Sequence, residues 1–191
     1  GGGVVVSSVD DDLWNDLRKI DAIDQPYQAF ALVGYYLTIF AQLEAGLDHL
    51  VGKLLRLDWP QQRIVTANME FADKVRTARA LFSNVSDDVE VLKRGDKLLA
   101  ELLNKHAPRR NELAHAMVVG NNTDGGALLP TFRARSKVKS GTVLLTIDEA
   151  FYQIASMFDA YDRLTEMADS ASLGRAQLEA IALSESIKIR M

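Results

Sequence analysis

The chain has 191 residues, of which 48% are hydrophobic and 25% are charged, and its formal net charge is −4. These values are typical of one soluble globular domain, or one domain with a tail, that buries a sizeable core. The absence of cysteine excludes disulfides, thiolate metal sites and a cysteine nucleophile, and it is compatible with a cytoplasmic location. Because the chain is acidic overall, any contact with nucleic acid must be local.

The N-terminal part predicts a disordered leader, a short helix and a long helix. Residues 1–9 start with three glycines and lack a basic segment, which indicates a flexible leader rather than a signal peptide. The predicted helical domain spans residues 10–169 and begins with a short helix at 10–21. Apolar residues at steps of three and four predict the first long helix at 26–57. It is apolar nearly all round, so it is either central to the domain or shared with a second subunit.

Part of the first long helix is uncharged over a length that nearly spans a bilayer, residues 25–43. Its strongly apolar part, residues 29–41, is too short for a span, which favours a buried core helix and no membrane. Membrane association through residues 25–43 is the weaker alternative, and it requires residues 29–41 to be exposed.

Three further helices are predicted before a loop. The apolar pattern indicates a second helix at residues 61–82 and a third from about 86 to 105. Pro108 ends or kinks the third helix, because proline cannot donate a hydrogen bond to the preceding turn. A fourth helix begins there and reaches about Val119, and the loop covers residues 120–126.

A β-hairpin and a fifth helix follow the loop. Alternation predicts strands at residues 128–136 and 142–145, with the turn at 139–141. Residues 146–149 match a capping box, which opens a fifth helix that ends near Asp169.

A C-terminal tail over residues 170–191 is predicted to start with a break at 170–174 and to form a helix at 175–188. The predicted fold is all-α: an up-and-down bundle of four to five helices with a small β-hairpin insertion before the last long helix.

The most informative stretch is Arg110-Asn111-Glu112-Leu113-Ala114-His115, at the start of the fourth helix. On a helix Asn111 and His115 are one turn apart, and Arg110 lies about 100° from Asn111, so a bent Arg110 side chain can converge with them on one phosphate. Chemistry at a phosphodiester needs a proton carrier and a permanent positive charge. The alternative is a structural Arg110 salt bridge and a capping or packed His115.

Motifs for other chemistries are absent from the sequence. It contains no nucleotide-binding glycine loop, no HExxH metal spacing among its three histidines and no GxSxG nucleophile elbow. His49 and His106 are predicted at the surface, and Trp14 and Trp59 are predicted as packing residues.

Glu44 occupies a position where the stripe of the first long helix predicts a hydrophobic residue. A buried carboxylate needs a partner, and Arg110 is the predicted cation. This pair either holds the guanidinium for a phosphate or is a structural bridge.

Basic residues are unevenly distributed along the chain. Lys105 and Arg109 precede the motif, and Arg133 and Arg135 alternate along the hairpin. They are candidate contacts for RNA phosphates, and a solvated surface is the simpler interpretation.

The motif resembles the Arg-x(4–6)-His motif of the HEPN superfamily, whose small all-helical domains include many metal-independent ribonucleases. The resemblance covers about residues 26–169, and its specific part is Arg110, Asn111 and His115. It implies a cytoplasmic homodimer that cleaves single-stranded RNA without metal or cofactor and leaves 2′,3′-cyclic phosphate ends. It also suggests a toxin or phage-defence effector with a possible antitoxin or partner protein.

In this resemblance His115 is the general acid or base, Arg110 stabilises the phosphorane charge and Asn111 orients the phosphate or the histidine. Glu44 matches the acidic residue that HEPN proteins often carry on an early helix near the motif. The rival hypothesis is a non-catalytic dimeric interaction module of the same fold. The nuclease requires Arg110 and His115 to be accessible, whereas the module requires them to be buried and mutually satisfied.

Overall fold

A computed structural model describes residues 8–24, 27–84, 88–115, 120–121, 127–134 and 138–189. The described elements, in chain order, are α1 (Ser8–Asp21), α2 (Tyr27–Leu55), α3 (Trp59–Thr66), α4 (Phe71–Phe82), α5 (Val89–Glu101), a π-helical turn (Leu102–His106), α6 (Ala107–His115), β1 (Gly120–Asn121), β2 (Ala127–Ala134), β3 (Val138–Leu145) and α7 (Ile147–Ile189). The predicted all-α class is confirmed, with one small sheet inserted before the last helix.

The chain divides into two compact units. The first unit consists of residues 1–41 and 108–159, and the second of residues 42–107 and 160–191. Helices α2 and α7 each contribute to both units, so neither unit is a continuous piece of chain. The predicted leader, residues 1–9, falls largely outside the described residues, but Ser8 and Val9 belong to α1.

The first unit is built on apolar residues from α1, α2, α6 and α7. Its core side chains, in chain order, are Leu13, Leu17, Ala29, Leu32, Tyr36, Phe40, Leu113, Ala150, Ile154 and Met157. Trp14 stacks on Phe151 with ring centroids 4.1 Å apart, which confirms that Trp14 is a packing residue. This stack holds α1 against α7.

The second unit packs α4 and α5 with the remaining parts of α2 and α7. Its core side chains are Leu43, Leu47, Leu50, Val51, Leu54, Val75, Ala78, Phe82, Leu98, Leu99 and Leu164. Gly95 allows a close approach between helices, since a Cβ there would lie 2.5 Å from Cε1 of Phe82 and 2.9 Å from Cε of Met167.

The break after α2 lies close to the gap predicted between residues 57 and 61, since α2 ends at Leu55 and α3 begins at Trp59. Arg56 adopts φ 60°, and the amide of Leu57 donates to the carbonyl of Gly52 at 2.9 Å. These are the features of a Schellman cap. Asp58 then caps α3: its carboxylate accepts from the Gln61 amide, and the Gln61 side chain accepts from the Asp58 amide.

The single helix predicted at residues 61–82 is wrong, because residues 67–70 separate α3 from α4. The β-branched residues Val65 and Thr66 come just before this break and Asn68 lies within it, and all three are weak helix formers. Glu70 has an extended backbone and accepts from the amide of Lys74 at 3.0 Å, which starts the new helix. Ile64 fits the apolar spacing of the predicted helix and is nevertheless 74% exposed, and Trp59, predicted to pack, is 72% exposed.

The kink predicted at Pro108 takes the form of the π-helical turn. The amide of Ala107 donates to the carbonyl of Leu102, five residues back. Proline lacks an amide hydrogen and its ring collides with the carbonyl four residues earlier in an α-helix, and a wider turn accommodates both effects. The described part of α6 ends at His115, so the predicted extension to Val119 lies outside the described residues.

The predicted hairpin is confirmed, but its turn was misplaced. In the antiparallel order β1-β2-β3, Ser140 pairs with Phe132 and Gly141 with Thr131, so the predicted turn residues lie inside β3. Their turn-like composition is overridden by a ladder of eight residue pairs. Among the described residues, β1 pairs with Ala127 and Leu128 and does not reach Pro130, and proline is tolerated at such edge positions of a sheet.

Helix α7 is continuous over Ile147–Ile189, which contradicts the predicted break at residues 170–174. The segment contains no proline, and one glycine inside a helix costs only about 1 kcal/mol relative to alanine. The helix starts as predicted, with Thr146 Oγ1 accepting from the amide of Glu149 at 3.1 Å.

Helix α2 is the one described helix that is long and apolar enough to cross a membrane by length and composition. Of its apolar window, 44% is buried, and core helices of soluble proteins satisfy the same criterion.

Two glycine substitutions test the packing of the second unit against a matched control. We expect Gly95→Ala to lower the free energy of unfolding by about 1–3 kcal/mol, because its Cβ would collide with the Phe82 ring. Gly34→Ala in α2 meets nothing within 4 Å, so it should raise the free energy of unfolding by up to about 1 kcal/mol. Urea denaturation measures both, and equal effects of the two substitutions would contradict the close contact.

Candidate functional site

Helix α6 carries the Arg/His motif in the first unit. His115 and Asn111 are exposed on one side of the helix, and Arg110 is half-buried. Arg110 Nη1 donates to Asn111 Oδ1 at 3.1 Å, so the long side chain bends towards Asn111 as expected from the helical geometry. A guanidinium and an amide are thereby placed together near a titratable imidazole one turn away.

The Arg110 guanidinium is also held by an aromatic ring. Its central carbon lies 5.7 Å from the ring centroid of Phe40, a residue of α2 that is 2% exposed. A cation over an aromatic face is attracted by the ring quadrupole. Among the residues that the structure describes, no carboxylate lies within salt-bridge distance of Arg110. The structural salt bridge considered for this residue is therefore not found there.

The guanidinium of Arg109 forms hydrogen bonds with other groups of the protein. Nη2 donates to Glu149 Oε1 at 2.7 Å and to the Leu144 carbonyl at 3.2 Å, and Nε donates to Gln153 Oε1 at 3.3 Å. Nη1 lies 3.5 Å from Glu112 Oε2. These contacts join α6 to the end of β3 and the start of α7. They make Arg109 a positioning residue, although it was predicted to contact RNA.

Glu149 was predicted as the acidic member of a capping box, in which its carboxylate would accept from the backbone amide of Thr146. The carboxylate of Glu149 instead accepts from side chains. Its amide is capped by Thr146, while Oε1 accepts from Arg109 and from Gln153 Nε2, the latter at 2.7 Å. Tyr36 lies beside this group, and burial raises the pKa of its phenol to about 12, with Arg109 opposing and Glu149 reinforcing the shift. Tyr36 therefore stays neutral at physiological pH and is no candidate for proton transfer.

Glu44, the predicted partner of Arg110, belongs to the second unit and pairs with a different cation. Lys74 Nζ lies 2.7 Å from Glu44 Oε1 and 2.8 Å from Asp48 Oδ1. The prediction that Glu44 needs a cation from another helix is confirmed, but the identification of Arg110 as that cation is wrong. Burial lowers the pKa of Lys74, and hydrogen bonds to Asp48 and Glu44 more than offset it, so the net pKa is raised.

Lys74 and Asp48 are buried charges that the sequence analysis did not predict. Both are only 5% exposed. A signal was present in the sequence: Lys74 lies three residues after Phe71 and four before Ala78, on the apolar face of α4. A buried charge needs a counter-charge, so this position predicts a carboxylate facing it.

The remaining candidate RNA contacts are only partly described. Lys105 is about half exposed and lies 3.4 Å from Glu101, a residue of its own helix. Arg133 is placed in β2 with Lys139 as its cross-strand partner. Arg135 lies outside the described residues.

His106 was predicted on an exposed turn, but it is 2% exposed within the π-helical turn. Its Nε2 has no hydrogen-bond partner among the described residues and lies 4.0 Å from Glu101 Oε1. Burial lowers the pKa of this imidazole, Lys105 lowers it further, and Glu101 opposes the shift. The wide turn that follows from Pro108 carries this residue inward.

Within the described residues, no group of three or more His, Asp and Glu side chains could hold a metal ion. Comparison with protein-family models, with curated proteins and with solved structures gives no match.

Adjacent arginines provide a test of the roles assigned in α6. We expect Arg109→Met to lower the free energy of unfolding by about 1–3 kcal/mol, because it removes the charged partner of Glu149 and the side-chain donor to the Leu144 carbonyl. Arg110→Met removes no ion pair and should change it by less than about 1 kcal/mol. Urea denaturation distinguishes the two, and a larger loss for Arg110→Met would reverse the assignment.

His106 makes stability depend on pH. Because its pKa is lowered in the folded chain, the unfolded chain binds a proton first as the pH falls. Above the ordinary histidine pKa of about 6.5, His106 is neutral in both the folded and the unfolded chain, and the folded chain has its full stability. As the pH falls below about 6.5, the unfolded chain is stabilised by binding a proton, so the free energy of unfolding decreases.

We therefore expect His106→Leu to reduce the loss of unfolding free energy between pH 7.5 and pH 5. Gly34→Ala, which adds a methyl group with nothing within 4 Å and changes no titratable group, is the control and should leave the wild-type pH slope unchanged. Urea denaturation at several pH values measures the slope, and an identical slope for His106→Leu would show that this imidazole does not carry it.

Proposed function

We propose that this chain is a cytoplasmic, HEPN-like, metal-independent endoribonuclease that cleaves single-stranded RNA. The observation that carries the proposal is the arrangement on α6: an exposed His115 and Asn111 beside an Arg110 guanidinium held by Phe40 and Asn111. An accessible cation without a neutralising carboxylate among the described residues suits an anionic substrate.

In the proposed reaction the ribose 2′-oxygen attacks the adjacent phosphorus. The bond from this oxygen to phosphorus forms, the bond from phosphorus to the 5′-oxygen breaks, and one proton passes overall from the 2′-oxygen to the 5′-oxygen. Neutral His115 accepts the first proton or, when protonated, donates the second. Arg110 stabilises the charge on the phosphorane oxygens, and Asn111 positions the phosphate through its amide.

Two observations favour the nuclease over the structural network. The non-catalytic module needs Arg110, Glu44 and His115 to be buried and mutually satisfied. His115 is exposed, and the carboxylate of Glu44 is paired with Lys74. Arg109 fixes the helix, which leaves the neighbouring Arg110 available for an anion.

The proposal gives supporting roles to four further residues, Glu44, Lys105, Arg133 and Arg135. The Glu44–Lys74 pair stabilises α2 and α4. Lys105 and the two hairpin arginines add positive charge for RNA phosphates, with Arg133 and Lys139 as cross-strand partners. Toxin or phage-defence activity, restrained by an antitoxin or other partner protein, is the biological role that fits such a nuclease.

We also propose that two copies of this chain form a homodimer. Helix α2 leaves Tyr27 68% and Phe30 55% exposed on an uncharged face. Thr38 on this face donates its hydroxyl to the Gly34 carbonyl at 2.9 Å, so its polar group is satisfied internally. An uncharged apolar face can pair with its own copy without repulsion. The same face also favours the alternative function, a non-catalytic dimeric interaction module.

RNA cleavage in excess EDTA tests the proposal. We expect wild type to cut single-stranded RNA and leave 2′,3′-cyclic phosphate ends that mass spectrometry detects. His115→Ala should reduce the rate by about 10²–10⁴-fold and Arg110→Ala by about 10²–10³-fold. His49→Ala is the matched control and should retain activity, because His49 lies outside the motif. Circular dichroism establishes that each variant is folded.

Other outcomes would redirect the proposal. Cleavage that survives both motif substitutions would place the activity at another site or in a contaminant. If wild type is inactive even after denaturing purification and refolding, which removes a bound partner, the interaction module is favoured. Sedimentation velocity of wild type and Phe30→Asp would then show whether the exposed face of α2 forms the dimer.

A further inference from the structure

A groove lies between α4 and α5 in the second unit. Its volume is about 730 Å³, within the range of sites that bind small molecules. Phe82 and Leu99 form part of its wall and are anchored in the core, being only 3% and 1% exposed. Ala80 and Ser83 leave the groove open because their side chains are small.

The interior of this groove is apolar in character. Leu92, Phe82 and Leu99 contribute large hydrophobic side chains. Ser83 is the one hydroxyl residue of the lining, and its Oγ donates to the carbonyl of Ala80 at 2.8 Å. The hydroxyl of Ser83 is therefore already hydrogen-bonded to α4, so a hydrocarbon in the groove would not leave this hydroxyl without a hydrogen-bond partner.

Four cations surround the groove, although the chain as a whole is acidic. Arg76 and Arg79 come from α4, and Lys93 and Lys97 come from α5, against one lining carboxylate, Asp96. Asp96 is already neutralised, because Arg79 binds it through two hydrogen bonds, with Nη2 to Oδ2 at 2.9 Å.

The other three cations keep their charge available to a ligand. Arg76 and Lys93 pair with Asp73 and Glu90 one turn away, and such exposed pairs are weak. Lys97 has no partner among the described residues. The groove therefore combines an apolar interior with a positive rim.

We propose that this groove binds a small amphiphilic anion, namely a free medium-chain fatty-acid anion. The hydrocarbon tail lies against Leu92 and the aliphatic stems of the lining cations, above the largely buried Phe82 and Leu99, and is removed from water there. The carboxylate lies at the rim within reach of Lys97 and its neighbouring cations, where a charge-assisted hydrogen bond is strong. A polyanion such as RNA would use the rim but gain nothing from the apolar interior.

This inference is independent of the nuclease proposal. All the lining residues belong to α4 and α5 and the residue that follows α4, in the second unit, whereas Arg110, Asn111 and His115 belong to the first. Either proposal can fail without the other.

Calorimetric titration of the full chain with decanoate, below its micellar concentration, tests the inference. We expect saturable one-to-one binding that is at least about tenfold tighter than binding of decanol or acetate, which each lack one half of the ligand. Lys97→Glu and Leu92→Gln should each weaken decanoate binding by about tenfold or more. Lys53→Glu, an exposed lysine of α2 outside the groove, is the matched control and should bind as wild type does.

Several results would overturn the inference. These are equal binding of decanol and decanoate, unchanged affinity in both groove variants, or an equal loss in the Lys53→Glu control. Absence of decanoate binding by folded wild type would do the same. Thermal unfolding without ligand establishes that each variant is folded.

Discussion

The ion pair between Arg109 and Glu149, 2.7 Å long, is the interaction on which the candidate site depends. Arg109 is 15% exposed, and a guanidinium so far from water must be paired and hydrogen-bonded. Its partners come from β3 and α7, so the orientation of α6 about its own axis is fixed. The next residue, Arg110, lies about 100° further round the helix and therefore cannot share these partners. It meets Phe40 and Asn111 instead. Two neighbouring arginines thus have separate tasks, one in holding the helix and one in presenting a charge.

A second polar cluster, formed by Glu44, Asp48 and Lys74, shows the same principle in the other unit. Two carboxylates one turn apart on α2 enclose a single ammonium of α4. A buried ion pair contributes less to stability than to specificity when apolar residues could replace it. Here it fixes which face of α4 meets α2, because a rotation of α4 would leave Lys74 buried without a counter-charge.

Sequence patterns predicted the local features well and the distant partners poorly. The ends of α2, the cap of α7, the hairpin and the bend of Arg110 towards Asn111 follow from residues within one or two turns of each other. The partner of Arg109 is 40 residues away, and that of Glu44 is 30 residues away. Composition also misled where tertiary context decided the outcome: Ser140-Gly141 continues a strand, and α7 passes through Gly174. Apolar spacing could not reveal the break at residues 67–70, because Ile64 fits the helical pattern and is still exposed.

The two units alternate along the chain, which has a consequence for the gene that encodes them and for proteolysis of the protein. Each unit takes part of α2 and part of α7, so no contiguous segment of the gene encodes either one. No single cut of the chain therefore separates one whole unit from the other. A single proteolytic cut within α2 or α7 would damage both units at once, so one cleavage would inactivate the whole protein.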